Sequence, residues 1–149
     1  MNLAASEHQD DELLNAAITR ANIKESFESY LEIVDAFYSD DVEVILGEDT
    51  EPVRGRDDLR AHLAKFLVPI HVMAELGGLS VSIRSTAIPA TDGAGTHSRW
   101  EATFRASPGV TRAFGWSVQR RWKDSRVNYE RHYDHQVDGP PINFDGLPD

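Results

Sequence analysis

The 149-residue sequence contains no cysteine. That absence excludes disulfides, thiolate metal sites and cysteine nucleophiles together, and it suits a reducing compartment. No apolar run approaches the roughly 18 residues that a membrane span needs. The opening MNLAASEHQDDELL has acids where a secretory leader carries Lys or Arg ahead of an apolar stretch. A cytoplasmic location and no membrane partner are therefore expected. Also missing are a GxGxxG or P-loop nucleotide signature, a nucleophile elbow, and HxH or HExxH spacing among the six histidines. No cofactor and no metal are expected.

What is present is a chain of one-domain length, able to bury about two-thirds of its unfolded surface. Its net charge of −10 is divided unevenly: residues 1–58 hold 16 acids and four bases, residues 59–136 six acids and 11 bases. A protein this acidic repels nucleic acid at long range, so no nucleic-acid partner is expected. Arginines in the basic rear are read as solvating an outer sheet face.

Hydrophobic periodicity divides the chain in the same way. Leu13, Leu14, Ala17, Ile18 and Ala21, then Phe27, Leu31, Val34 and Tyr38, recur at helical spacing from about Asp10 to Tyr38. Asp10, Asp11 and Glu12 are placed in the first turn, where acids favour the helix dipole. Ser29 to Glu32 reads as a capping box that breaks this stretch in two. After the β-rich run Val42 to Leu46 and a turn-forming Gly47 to Gly55, Leu59, Leu63, Phe66 and Leu67 mark another helix, which Pro69 is expected to stop. The period then falls to two. Val81 and Ile83, Trp100 to Phe104, Phe114 to Trp122 and Arg126 to His135 read as strands joined by hairpin-length turns.

Helices followed by a run of long strands predict the α+β class, with helices on one face of the sheet. A single domain is expected over residues 1–136, with residues 1–9 disordered. Residues 137–149, rich in Pro and Gly, are expected to form an extended tail that packs an anchor such as Phe144.

Tyr38-Ser39-Asp40-Asp41 leading into a strand, Gly55-Arg56-Asp57-Asp58-Leu59 opening a helix, and Tyr129-Glu130-Arg131-His132-Tyr133-Asp134 on the last strand are similar to motifs of one family. Over residues 10–136 the chain resembles the SnoaL-like branch of the nuclear-transport-factor-2-like (NTF2-like) superfamily. The resemblance implies a cone: N-terminal helices on one face of a strongly bent antiparallel or mixed sheet, around a central pocket. Members include ketosteroid isomerases, polyketide cyclases, epoxide hydrolases and dehydratases, besides modules without catalysis. Fold alone therefore leaves function open.

The isomerase positions fall here on Leu46, Asn22 and Val118, so that chemistry lacks its groups. Limonene-type epoxide hydrolases use an acid–arginine–acid set, whose counterpart by counting is Arg99, Glu101 and His132. Cyclases rely on an acid of the last strand. Strand alternation puts Asn128, Glu130, His132 and Asp134 on one face, and His132 with Asp134 makes a candidate acid/base pair.

The candidate catalytic residues are thus His132, Asp134, Glu101 and Arg99. Candidate substrate-binding residues are Tyr30, Leu46, Phe66, Trp116, Val118 and Glu130. The expected partner is a small apolar or aromatic molecule, with a homodimer formed through the sheet. Two functions stay open: a cofactor-independent lyase, isomerase or hydrolase of polyketide-cyclase type on a small cyclic substrate, or a non-catalytic binding or dimeric interaction module.

Overall fold

The computed structural model describes residues 3–24, 27–75, 77–88, 95–106 and 109–140. The elements are α1 (Leu3–Lys24), α2 (Phe27–Phe37), β1 (Tyr38–Ile45), β2 (Val53–Arg54), α3 (Arg56–Glu75), β3 (Leu79–Ile88), β4 (Thr96–Ala106), β5 (Val110–Lys123) and β6 (Arg126–Asp138). The six strands form one sheet in the order β2-β1-β6-β5-β4-β3. All neighbours are antiparallel except β1 and β6, which are parallel. Strands β3 to β6 make the expected meander. The chain of helices before it sits on one sheet face, which is the α+β cone that the sequence predicts.

Several boundaries differ from the sequence reading. Helix α1 begins at Leu3, so residues 3–9 are helical rather than disordered, and Asp11 lies in the middle of the helix instead of its first turn. Ser29 lies inside the first turn of α2, which runs from Phe27, rather than capping a helix that starts after it. Helix α3 continues through Pro69 to Glu75. A proline removes one backbone hydrogen bond, and Ile70 beyond it still packs against the core, offsetting that loss. Strand β6 runs two residues past the expected domain end at 136. Phe144 lies outside the described residues.

Two apolar clusters fill the space between helices and sheet. One joins Leu14, Val34, Tyr38, Val42, Val44, Leu59 and Val127. Its fully buried members Leu14, Val42, Val44 and Val127 each contribute about 1.5–3 kcal/mol of transfer free energy. The other joins Leu79, Ala102 and Phe104, with Ile70, Phe114 and Trp116 against them. Trp100 stacks on Trp116 at 6.3 Å between ring centroids, and Phe104 meets Phe114 edge-on at 5.4 Å.

Strand β6 controls which side chains face this interior. Its pairing with β5 slips once between Arg121 and Trp122 and again between Gly115 and Ser117. Each slip places one extra residue in β6, first at Asn128 and then at Asp134–His135. Bulges of this kind bend a strand and raise its twist. Asp134 takes up the second with a left-handed φ of 54°. The tight turn after β5 is built the same way, with Asp124 and Ser125 both at positive φ (52° and 64°) as a two-residue hairpin of right-handed twist requires.

Candidate functional site

Between the two apolar clusters lies a buried polar network centred on Arg120. In β5, Phe114, Trp116, Val118, Arg120 and Trp122 point in register to the helical side. Arg120 is therefore an arginine in an apolar row. Its side chain is 3% exposed, with Asp11 and Glu130 at 6% each. Burying a charge this deeply is tolerated only when it is paired and hydrogen-bonded.

Arg120 meets that condition on two sides. Its Nε donates to Glu130 Oε1 (2.6 Å), and its Nη1 donates to Asp11 Oδ1 (2.9 Å) and Asn15 Oδ1 (2.5 Å). Asp11 also accepts from Thr96 Oγ1 (2.9 Å) and Asn15 Nδ2 (3.2 Å). Glu130 also accepts from the Tyr38 hydroxyl (2.6 Å) and faces His132 Nε2 at 3.0 Å. Each carboxylate thus meets three donors. Helix α1 supplies Asp11 and Asn15 from one stripe of its surface, and Asn22 on the same stripe ties its end to the Val81 carbonyl (2.9 Å).

The electrostatics follow from this count. Burial works to raise the Glu130 pKa, but the Arg120 charge and the His132 contact hold it well below the usual carboxylate range. Burial also pushes the Tyr38 hydroxyl well above its ordinary value, and the adjacent Glu130 charge pushes it further. Arg120 itself, which burial would lower, is raised by Glu130, Tyr38 and Asp11. The cluster therefore holds an ionised Glu130, a protonated Arg120 and a neutral Tyr38. His132 Nε2 faces the Glu130 carboxylate, which can only accept, so Nε2 is the ring nitrogen that donates.

The candidate residues chosen from sequence divide between two faces. His132, Glu130, Val118 and Trp116 share the helical side: Arg120 pairs with Glu130 across the strands, and Val118 pairs with His132. Arg99 and Glu101 lie on the other side, alternating with the buried Trp100 and Ala102. Glu101 accepts from Arg84 Nε (2.6 Å) at the surface.

The His132–Asp134 pair does not form. The second bulge reverses the alternation, and Asp134 meets Arg99 on the outer face through its carbonyl (3.0 Å) and its carboxylate (3.4 Å). Arg99 also donates to Ser117 Oγ (3.0 Å) and Gln136 Oε1 (3.1 Å), so it acts as a clasp on that bulge. The set His132, Asp134, Glu101 and Arg99 is therefore not one site.

Leu46 packs against the first apolar cluster. Tyr30 is half-buried on α2, its phenol pushed up to about 12 by burial. The Phe66 side chain lies outside those described.

Asp11, Asn15, Thr96 and Arg120 were not among the sequence candidates. The signal for Arg120 was its place in the apolar row of β5; the signal for Asp11 was its place four residues from Asn15 on the Leu14 side of α1. Among the described residues no group of three or more His, Cys, Asp or Glu is arranged to hold a metal ion. No described helix is long and apolar enough to cross a membrane.

The surface hollows among the described residues include the following two. One, of about 260 Å³, is lined by Asp40, Arg54, Gly55, Arg56, Asp57 and Asp58. Its Arg56 is already paired with Asp40 at 2.5 Å. The other lies between α1 and α2, with Ala17, Arg20, Glu32 and Phe37 in its wall. Neither contains a residue of the expected site.

This architecture is the NTF2-like fold. No protein-family model and no curated protein matches the sequence. Solved structures do match in fold. An NTF2-like protein of unknown function from Exiguobacterium sp. 255-15 is 13% identical with a TM-score of 0.55, over 81% of this chain and 90% of that one. An epoxide hydrolase of M. tuberculosis, described as LEH-like, is 18% identical with a TM-score of 0.57, over 89% and 84%. A protein described as a candidate polyketide cyclase, from Xanthomonas campestris pv. campestris, is 14% identical with a TM-score of 0.58, over 86% and 92%.

Proposed function

We propose that this protein is a cofactor-independent enzyme that moves a proton on a small, neutral cyclic molecule held in a central pocket against the helical face of the sheet. The observation that carries this reading is the Glu130–His132 contact at 3.0 Å, backed by Arg120 and Tyr38 on the far side of Glu130.

The chemistry is that of an oriented histidine. Glu130, kept ionised, fixes the ring with Nε2 protonated and Nδ1 able to accept. When Nδ1 takes a proton from the substrate, the imidazolium that forms is stabilised by the Glu130 charge. Asp11 and Glu130 each spend their lone pairs on three donors, so neither is a ready proton donor or water activator. The acid–arginine–acid arrangement Asp11–Arg120–Glu130 has the composition that epoxide hydrolases use, but its saturation favours lyase or isomerase chemistry at His132 over hydrolysis. The His132 side chain is 19% exposed, which leaves it within reach of a ligand.

The test is a mass-spectrometric turnover screen of cyclic ketones, epoxides and hydroxyaromatics with the wild type, His132→Ala and Glu101→Ala. Loss of about 10²–10⁴-fold in His132→Ala, partly restored by added imidazole, with Glu101→Ala near wild type, is expected. Unchanged turnover in His132→Ala would overturn the assignment.

The alternative, a binding module without turnover, is favoured by the same saturation of the carboxylates, and ligand affinity without product formation would support it. Pairing of two copies through the outer sheet face is part of the proposal. That face carries Arg121 stacked on Tyr129 (5.0 Å) and Arg131 on Tyr133 (4.5 Å). Light scattering at twice the monomer mass is expected, and a clean monomer removes the dimer.

A further inference from the structure

The chain has three tryptophans, and the structure treats their indole N–H groups differently. Trp100 Nε1 donates to Ser98 Oγ and Trp122 Nε1 donates to Thr96 Oγ1, both at 2.9 Å. Trp116 Nε1 is buried yet meets no acceptor among the described residues. A buried indole N–H ordinarily finds a partner, because leaving one desolvated and unpaired is costly. Asn128 Oδ1 and Arg131 Nε share this condition. Asn128 sits in the bulge of β6, though, and Arg131 is stacked on Tyr133 on the outer face. Trp116 is the one of these three that lies in the row with Val118 and His132.

The surroundings of Trp116 define what it would bind. It is two residues along β5 from Val118, whose cross-strand partner is His132. That puts the indole about 7 Å along the sheet from the His132 position. Trp100 lies parallel to it with 13° between the ring planes, and Phe114 and Phe104 continue the wall. The Arg120 charge beyond Val118 is taken up by Asp11 and Glu130. The Arg112 guanidinium lies over the Phe114 ring at 5.3 Å, so beside Trp116 the wall offers flat apolar surface and one neutral donor, which suits an uncharged planar ring bearing an oxygen acceptor.

We infer that Trp116 Nε1–H is the anchor for a carbonyl-type oxygen of a planar cyclic ligand, holding it beside His132. This rests on the proposed use of the helical face as the substrate site. It adds a specificity-determining residue that sets which end of the ligand faces the histidine.

The test uses two probes of one shape, 1-tetralone and tetralin, the second lacking the oxygen. In ¹H–¹⁵N spectra of the wild type, the Trp116 indole signal is the one lost in Trp116→Phe. The parallel losses in Trp100→Phe and Trp122→Phe fix it by elimination should the first variant fold poorly. The expected result is a downfield shift of that signal alone among the three indoles with 1-tetralone, and none with tetralin. Calorimetry should show about tenfold tighter binding of the ketone, a preference that Trp116→Phe abolishes. If 1-tetralone binds without moving the Trp116 signal, or Trp116→Phe keeps the preference, the anchor is overturned while the helical-face site stands. If neither probe perturbs any indole or the His132 ring, the site itself falls, and the anchor with it.

Discussion

Arginine–carboxylate pairs stand on both faces of the sheet, and the two faces use them differently. Arg120 with Glu130 and Asp11 is buried to within a few per cent on the helical side. Arg84 with Glu101 stands on the outer side, 79% and 53% exposed. The chemical groups are the same. What differs is the solvent: outside, water screens the pair and repays most of what breaking it would cost. Inside, neither partner has an alternative, so the protein surrounds each carboxylate with three donors, and Glu130 is held ionised. A buried pair of this kind gives shape and a defined protonation state to the groups around it, whereas an exposed pair gives solubility.

Removing one partner on each side should separate the two most widely. Arg120→Met leaves two buried carboxylates without a cation and is expected to cost about 3–5 kcal/mol. Arg84→Met should cost no more than about 1 kcal/mol. Urea unfolding of both variants measures the difference directly. Equal losses would mean that the Arg120 network is hydrated, and the reading of it as a dry electrostatic frame would fail.

The legibility of the molecule in its sequence follows the same division. The order of elements, the one-sided helices and the bent sheet were readable, because the periods of 3.6 and two are repeated over many residues. That Glu130 and His132 share a face is readable from alternation along β6, but which face is not. The facing of Asp134 is not readable, since one inserted residue reverses every side chain that follows it, and β6 itself has no glycine at either bulge. Arg99 and Glu101 match a family motif as Arg-x-Glu, yet they alternate with Trp100 and Ala102 and so belong outside. Arg120 is hidden for the opposite reason. It occupies an apolar slot beside Val118 and Trp122, and a charge in such a slot can be justified only by partners that come from remote sequence. Asp11 is 109 residues away.

The pH dependence of stability sharpens the comparison further, with effects smaller than that of Arg120→Met. Glu130 has a folded pKa below its ordinary value of 4.5, so the folded state binds its proton less readily than the unfolded one. The stability this contributes is complete above about pH 4.5 and is lost as the pH falls through that value toward the folded one. Tyr38 is shifted the other way: its folded pKa lies above 10, so its contribution is complete below pH 10 and is lost as the pH rises beyond it. Thermal melting across the pH range should therefore show an acid limb that Glu130→Gln flattens and a weaker alkaline limb that Tyr38→Phe flattens. The exposed Glu101→Gln should leave both limbs in place. An acid limb that persists unchanged in Glu130→Gln would assign it to other carboxylates and remove the distinction between the two faces on which the proposed site rests.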